Sequence, residues 1–292
     1  MPLKHRLDAY RKGIDQRLEK HLPSAEEEPK PLHAAMRYSC LAPGKRLRPL
    51  LCLATAEGLG ENPEKLLDAA CAIEMIHCFS LIHDDLPAID NDDLRRGRLT
   101  CHKVFGEGMA ILAGDGLFAL AFQVLSNVSF PSGKLLHAMQ VLTSATGSRG
   151  LVGGEVLDIL SEGQSPSLQL LESIHHQKTG ILIAASCMIG GLLSGATEAQ
   201  IKNLNGFGTS IGLAFQIADD VLNEISTPDE LGKAVGSDRA KCKMTYPSLM
   251  GTKAAQKTAQ EMTQRAEKFL EKMPGDCSLL LHLARYSVER AS

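Results

Sequence analysis

Residues 81–98 read LIHDDLPAIDNDDLRRGR and place five aspartates directly before three arginines. The aspartates are Asp84, Asp85, Asp90, Asp92 and Asp93, and the arginines are Arg95, Arg96 and Arg98. An apolar run at 72–82 leads into the first two aspartates, which predicts a buried helix that ends in carboxylates. Such carboxylates repel one another and are costly to desolvate, so they require a compensating cation. Oxygen ligands with open positions suit Mg²⁺ bound together with substrate phosphates, which nearby arginines would also grip. The alternative is a solvated acidic loop.

A second acidic motif argues against interpreting the first one as a solvated loop. Residues 215–223 read FQIADDVLN within an apolar helical stripe. Asp219 and Asn223 are four residues apart and share a helix face, and Gln216 lies on that face as well. Two acidic helix ends that face each other would hold several Mg²⁺ ions around a diphosphate.

Helical periodicity dominates the chain, and alternating β-branched runs are scarce. No linker is long or polar enough to separate domains. We therefore predict an all-α fold, a single domain over 1–292 with roughly a dozen helices around a central apolar cavity. The polar, glycine-containing stretch at 226–245 is the candidate for a mobile lid.

The composition narrows the class of protein. A net charge of −3 and only 4% aromatic residues argue against a nucleic-acid surface. Eight cysteines without a CxxC pair are typical of a reducing compartment, and the charged N-terminal stretch does not resemble a signal peptide, so we expect a cytoplasmic protein. Residues 179–197 are uncharged and long enough to span a bilayer. Four glycines dilute them, and we expect a buried central helix and no membrane span.

Basic residues occur in three further groups that would suit phosphates. GKRLRP at 44–49 places Lys45 and Arg48 beside a glycine, and Lys178-Thr179-Gly180 begins an apolar helix, where the amides favour anions. Lys233 and Lys243 flank the predicted lid. Each lysine alone is more often a solvated surface group.

These motifs, in this order, resemble the trans-prenyltransferases, the short-chain isoprenyl diphosphate synthases. The resemblance runs from about residue 37 to residue 246 and includes GKRLRP, LIHDDLPAIDNDDLRRG, KTG and FQIADD. It implies the isoprenoid synthase fold, a homodimer, and a reaction in which isopentenyl diphosphate is joined to an allylic diphosphate. The spacing of the first motif resembles that of bacterial farnesyl synthases and of bacterial or plant geranylgeranyl synthases.

The resemblance also implies a role for each motif residue. About three Mg²⁺ ions, held by Asp84, Asp85, Asp90 and Asp219, would draw off the diphosphate. Arg95, Lys178, Lys233 and Lys243 would bind that diphosphate, and Gly44, Lys45, Arg48, His77 and Arg96 would hold isopentenyl diphosphate. Lys178, Thr179 and Gln216 would act in catalysis, the last two by presenting lone pairs to the carbocation. For His77, a core histidine bonded to backbone is the alternative. Asp158, in a segment that resembles the family's G-[QE]-x-x-D, would support the metals or Lys178, or form a surface ion pair.

Product length would be set by the floor of an apolar tunnel below Asp84. Ser80 and Phe79 lie four and five residues before the motif, and an aromatic residue at the latter position resembles the farnesyl synthases. We therefore predict a fifteen-carbon farnesyl product, with a twenty-carbon geranylgeranyl product as the alternative. A non-catalytic partner subunit is a further alternative, because Asn223 stands where the family usually has a third aspartate. A terpene cyclase would lack GKRLRP, and a simple cation-binding protein would not need the three lysines.

Overall fold

The computed structural model describes residues 3–165, 167–225 and 243–288. Apart from one short hairpin, the regular structure in these ranges is helical, and the predicted all-α class is confirmed. The α-helices are α1 Leu3–His21, α2 Lys30–Cys40, α3 Leu47–Gly58, α4 Leu67–Asp84, α5 Cys101–Phe105, α6 Glu107–Ser126, α7 Ser132–Thr146, α8 Leu151–Ser161, α9 Leu168–His175, α10 Ile181–Leu193, α11 Glu198–Ile225, α12 Tyr246–Met250, α13 Thr252–Leu270 and α14 Ser278–Val288. A 3₁₀ turn at Pro63–Leu66 precedes α4, and a π-helical turn at His176–Gly180 joins α9 to α10. Lys233 and most of the predicted lid lie outside the described residues.

Two helices that are apolar on all sides form the centre. Helix α4 packs against α1, α3 and α6, and α10 packs against α3, α7 and α11. Ten of the thirteen residues of α10 are buried, as expected for a helix without a polar face. The apolar stretch at 179–197 therefore contains a core helix.

Two other segments are long and apolar enough to cross a membrane by length and composition alone. They are Pro63–Asp84, which is 72% buried inside the protein, and Glu107–Ser126, which is 39% buried. The first is a core helix, since burial inside the protein accounts for its composition. Helix α6 instead leaves Ile111, Leu112 and Phe118 exposed on one side.

The structure differs from the sequence pattern in two elements. The glycine at position 206 predicts a break between helices at 198–206 and 207–225, but both ranges form the single helix α11, and the ring of Phe269 occupies the space beside Gly206. A Cβ at this position would lie 2.5 Å from that ring, so the glycine serves close packing. The second difference is a hairpin, β1 Leu94–Arg95 and β2 Arg98–Leu99. Its turn residues Arg96 and Gly97 both have positive φ, which suits a two-residue hairpin loop.

Candidate active site

The first aspartate motif folds back on the end of α4. The Asp90 amide donates to the Asp84 carbonyl at 2.8 Å, and the Asn91 amide donates to the Leu86 carbonyl at 3.0 Å. Asn91 adopts a left-handed conformation, which asparagine tolerates better than most residues. This turn brings Asp90 back beside the end of α4.

Asp85 and Arg95 form a bidentate pair. The Arg95 Nε donates to both Asp85 oxygens at 2.8 and 2.9 Å, and Nη2 donates to Oδ1 at 2.6 Å. Asp85 is 3% exposed, and burial raises the pKa of its carboxyl although Arg95 opposes the shift. The structure thus joins two residues for which we predicted separate partners, Mg²⁺ for Asp85 and diphosphate for Arg95. Both roles stay predictions.

Two lysines lie among three carboxylates at the acidic end of the site. The Lys178 ammonium is 2.8 Å from Glu155 and 2.7 Å from Asp158, both on α8. The Lys243 ammonium is 2.6 Å from Asp90 and 3.4 Å from Asp158. Burial would lower the pKa of both lysines, but these carboxylates outweigh it and raise each pKa. Both lysines are therefore charged at neutral pH, and Asp158 bridges them.

Asp84 has no such partner. Within the described ranges, no side chain forms a hydrogen bond or ion pair with its carboxylate. Burial first, and then the charge of Glu155, raise its pKa to about 8, against the opposing effect of Lys178 and Arg95. In such surroundings a nearby cation stabilises the ionised form of the carboxylate. The position is suited to a metal ligand.

The π-helical turn presents Lys178 and Thr179 to the site. Gly154 allows α8 to approach this turn, since a Cβ there would lie 2.2 Å from the Lys178 backbone nitrogen. Gly212 does the same for α11, where a Cβ would lie 2.5 Å from Gly180 Cα. π-Turns within helices frequently occur at functional sites. Neither the turn nor these contacts is evident from helical periodicity.

The second motif lies on α11 beside this turn. The Thr179 hydroxyl donates to Gln216 Oε1 at 2.9 Å, so the two predicted catalytic side chains are in contact. Asp219 is half-buried, and among the described residues no hydrogen bond or ion pair reaches it. Asn223 is 4% exposed.

The GKRLRP segment forms a basic end of the site, in contrast to the acidic end around Lys178 and Lys243. Arg48 is 9% exposed, its Nη1 donates to His77 Nε2 at 3.3 Å, and its buried Nε has no hydrogen-bond partner. Burial lowers the pKa of Arg48 to about 10, and burial followed by the arginines lowers the pKa of His77 well below its usual value. His77 is therefore neutral and accepts from Arg48. A buried guanidinium with an unused donor fits an anion.

Gly44 and Arg96 meet at the edge of this basic end. The Arg96 Nη1 donates to the Pro43 carbonyl at 3.1 Å, and a Cβ on Gly44 would lie 2.2 Å from the same nitrogen. A side chain at position 44 would therefore displace the Arg96 guanidinium from its place across the loop. Lys45 is exposed beside it.

Phe79 and Ser80 lie one turn before the first aspartates. Phe79 is 7% exposed and packs edge-on against His83 and Phe118, with centroids 5.2 and 5.3 Å apart. Ser80 is buried, and its hydroxyl donates to the His77 carbonyl at 2.9 Å. The Phe79 ring is therefore held against α6.

The donor set fits Mg²⁺. Among the residues that the structure describes, no three His, Cys, Asp or Glu side chains converge on one point. Mg²⁺ usually binds through one or two carboxylates and takes its remaining ligands from substrate phosphates and water. Asp84 and Asp219, which lack protein partners among the described residues, are carboxylates of this kind.

Comparison with known proteins identifies the family. A family profile described as polyprenyl synthetase matches residues 29–276. The chain belongs to the polyprenyl synthetase family. This assignment confirms the resemblance to the trans-isoprenyl diphosphate synthases.

Individual family members are similar over most of the chain. Geranylgeranyl pyrophosphate synthase 4 of Arabidopsis thaliana is 44% identical over 266 residues, which are 90% of this chain and 71% of that protein. The geranylgeranyl pyrophosphate synthetase of Pyrococcus horikoshii has a TM-score of 0.89 at 33% identity, with 99% and 98% of the two chains covered. An FPP/GFPP synthase of Zymomonas mobilis has a TM-score of 0.87 at 36% identity, with 98% of each chain covered.

The predicted farnesyl product is wrong on this comparison, because the similar polyprenyl synthetases are mostly geranylgeranyl synthases. The prediction rested on Phe79 as the tunnel floor. Its ring packs against Phe118 of α6, so a tunnel floor at this position would be formed by both helices. A position counted back from the motif on α4 alone does not define it.

Sequence reasoning missed the contacts of several residues that shape this polyprenyl synthetase site. Glu155 pairs with Lys178, and Glu74 pairs with Arg46 beneath the GKRLRP loop. Asp220 contacts Gln216, and His175 stacks on Tyr246. Glu74 carried a usable signal, since an acidic residue inside an otherwise apolar helix requires a buried cation. The other contacts depend on packing between helices and have no local signature.

Asn223→Asp tests the departure in the second motif. Because Asn retains an oxygen but lacks charge, we expect the change to alter the apparent Mg²⁺ affinity only modestly, by about threefold or less. Activity titrated with Mg²⁺ measures the effect. Loss of all turnover in a folded variant would contradict this prediction.

Proposed function

We propose that this polyprenyl synthetase elongates allylic diphosphates with isopentenyl diphosphate to geranylgeranyl diphosphate and releases pyrophosphate. The observation that carries the proposal is a site with two opposite ends. Among the residues that the structure describes, Asp84 has no side-chain partner at the acidic end, and the buried Nε of Arg48 has no hydrogen-bond partner at the basic end. Metal-bound and arginine-bound diphosphates are the ligands that suit this pair. The twenty-carbon product is supported by the geranylgeranyl names of similar proteins.

Each part of the site has a role in this proposal. Mg²⁺, when bound by Asp84, Asp90 and Asp219, would supply Lewis-acid polarisation of the allylic diphosphate. Lys178 and Lys243, charged by their carboxylates, would hold that diphosphate and stabilise its charge as it leaves. Arg48 and Lys45 would hold isopentenyl diphosphate at the basic end.

The allylic carbocation requires a different environment from that of the diphosphate. Thr179 and Gln216 would turn their oxygen lone pairs towards the allylic carbon, where positive charge develops. Neutral His77 and the apolar face of α4 would surround the isoprenoid without adding charge. Positive charge is thus stabilised at oxygens, while negative charge is stabilised at lysines and arginines.

A product assay tests the proposal. The purified protein is incubated with Mg²⁺, labelled isopentenyl diphosphate and dimethylallyl, geranyl or farnesyl diphosphate, and product length is read by chromatography. We expect a twenty-carbon product from all three allylic substrates. A product that stops at fifteen carbons would overturn the geranylgeranyl assignment, and no product from folded protein would overturn the synthase assignment.

Phe79→Ala tests the tunnel. Removal of the ring opens space between α4 and α6, so we expect products longer than twenty carbons in the same assay. Phe130→Ala, which removes an equal ring beyond the end of α6, is the matched control and is expected to leave product length unchanged. An unchanged product spectrum in Phe79→Ala would reject Phe79 as part of the floor.

We propose that the protein is a homodimer associated through α6. This helix exposes Leu112 at 54% and Ile111 at 44%, an apolar surface unusual for a monomer. Light scattering after gel filtration measures the mass. A monomer at micromolar concentration would refute the dimer.

A further inference from the structure

Asp220 is the second of the two aspartates in the motif at 215–223 and is 5% exposed. Its Oδ1 accepts a hydrogen bond from Gln216 Nε2 at 3.2 Å, and its Oδ2 accepts one from the Tyr246 backbone amide at 3.0 Å. Each carboxylate oxygen therefore has a protein donor. Its neighbour Asp219 has no partner among the described residues.

Asp220 sets the direction of the hydrogen bonds that lead to Thr179. The Gln216 amide nitrogen faces Asp220 Oδ1, so the amide oxygen lies on the opposite side. Gln216 Oε1 is then turned towards Thr179 and accepts from its hydroxyl at 2.9 Å. Since this bond uses the Thr179 proton, the lone pairs of the hydroxyl are left for a cation.

The residue that donates to Asp220 Oδ2, Tyr246, is itself held by packing and hydrogen bonds. Tyr246 is the first residue of α12, where the amide has no partner within the helix. Its ring stacks on His175 at 5.5 Å, and its hydroxyl donates to Glu172 at 3.4 Å. Burial lowers the pKa of His175 to about 3, so this imidazole, 3.6 Å from Asp220, is neutral.

We propose that Asp220 is a positioning residue that orients Gln216, and through it Thr179, towards the carbocation. It acts without coordinating Mg²⁺, because both of its oxygens accept hydrogen bonds from the protein. The inference rests on the proposed synthase function and adds a residue to it.

A double-mutant cycle tests the proposal. In Asp220→Asn the new side-chain amide can donate a hydrogen bond to Gln216. The Gln216 amide group can then rotate so that its oxygen and nitrogen exchange positions. We expect kcat to fall about tenfold, as for loss of one orienting hydrogen bond, with both KM values within about twofold. In a Gln216→Ala background the same change should lower kcat less than about twofold, because the residue through which it acts is gone. Effects that multiply would overturn the proposal.

Magnesium dependence separates positioning from metal binding. Asp219→Asn is the matched comparison and is expected to raise the Mg²⁺ concentration needed for half-maximal activity about tenfold or more. Asp220→Asn should leave that concentration within about twofold. A rise equal to that of Asp219→Asn would assign Asp220 to the metals.

A measurement on the unaltered protein remains if Asp220→Asn does not fold. The Gln216 side-chain amide, identified by NMR as the pair absent from Gln216→Ala, should exchange with solvent more slowly than the other glutamine side chains. Exchange at the rate of an exposed glutamine would overturn the proposal. This readout does not require turnover, so it separates failure of the positioning role from failure of the synthase assignment, which absence of product would indicate.

Discussion

Asp84→Asn is expected to reduce kcat about a hundredfold to a thousandfold, the range seen when one strong electrostatic contact to a transition state is removed. Asp84 is the carboxylate of the first motif without a described partner, and its environment opposes ionisation. Lys178 and Arg95 offset that opposition only in part, so a bound cation would be attracted to Asp84, and the asparagine would attract it less. Steady-state kinetics at saturating Mg²⁺ measure the loss.

The same substitution should stabilise the metal-free protein. Folding raises the pKa of Asp84 to about 8, so between the usual carboxyl range and pH 8 the folded state binds more protons than the unfolded state. The free energy of unfolding therefore falls as pH rises through this interval. Asparagine does not ionise, so the variant does not lose free energy of unfolding in this pH interval. Each kcal/mol of unfolding free energy that is regained raises the melting temperature by about 2–4 °C.

Melting curves in EDTA check the stability half of this prediction. The difference between Asp84→Asn and the unaltered protein should be larger at pH 8.5 than at pH 5.5. Asp93→Asn is the matched control, since Asp93 is exposed and pairs with Lys103 at 2.8 Å. It should alter neither kcat nor melting temperature appreciably. A gain for Asp84→Asn that is equal at both pH values would contradict the assigned pKa.

Arg46→Met is expected to lower the free energy of unfolding by about 3–5 kcal/mol, because it leaves a buried carboxylate unpaired. Arg46 Nη1 donates to Glu74 at 2.8 Å, and both side chains are 2% exposed. Arg46 Nε donates to Asp15 at 2.8 Å, and Nη2 donates to the Ala42 carbonyl at 3.1 Å. Burial would lower the pKa of Arg46, but Glu74 outweighs it and raises that pKa. Urea denaturation measures the change.

The Arg46→Met substitution should also affect the basic end of the site. Arg46 has a left-handed backbone, which its buried partners hold in place between Lys45 and Arg48. We expect Arg46→Met to raise KM for isopentenyl diphosphate more than KM for the allylic substrate. Lys65→Met breaks the exposed pair with Glu61 and should change stability by less than about 1 kcal/mol. In Arg46→Met/Glu74→Met most of the lost stability should return, since both members of the buried pair are removed together.

The sequence indicated the helical class and the family because its strongest signals are local. Apolar runs predict core helices, and the order of the charged motifs is legible without a structure. The pairing of Asp85 with Arg95 could not be predicted, since it depends on the turn at Asn91 and the hairpin that follows. Likewise the position of Phe79 against α6 arises from contacts between helices distant in the chain. Residue identity was therefore more predictable than the partner of each residue.

The π-helical turn at His176–Gly180 makes the site sensitive to chain length. A π-turn holds one residue more than an α-turn, and each residue of an α-helix advances the side-chain direction by about 100°. The helices α9 and α10 on either side are each fixed by their own neighbours, so an added or deleted residue between them cannot be absorbed by rotation. When relatives are aligned, a gap placed within these five residues would signal a displaced Lys178 even where every motif letter is retained.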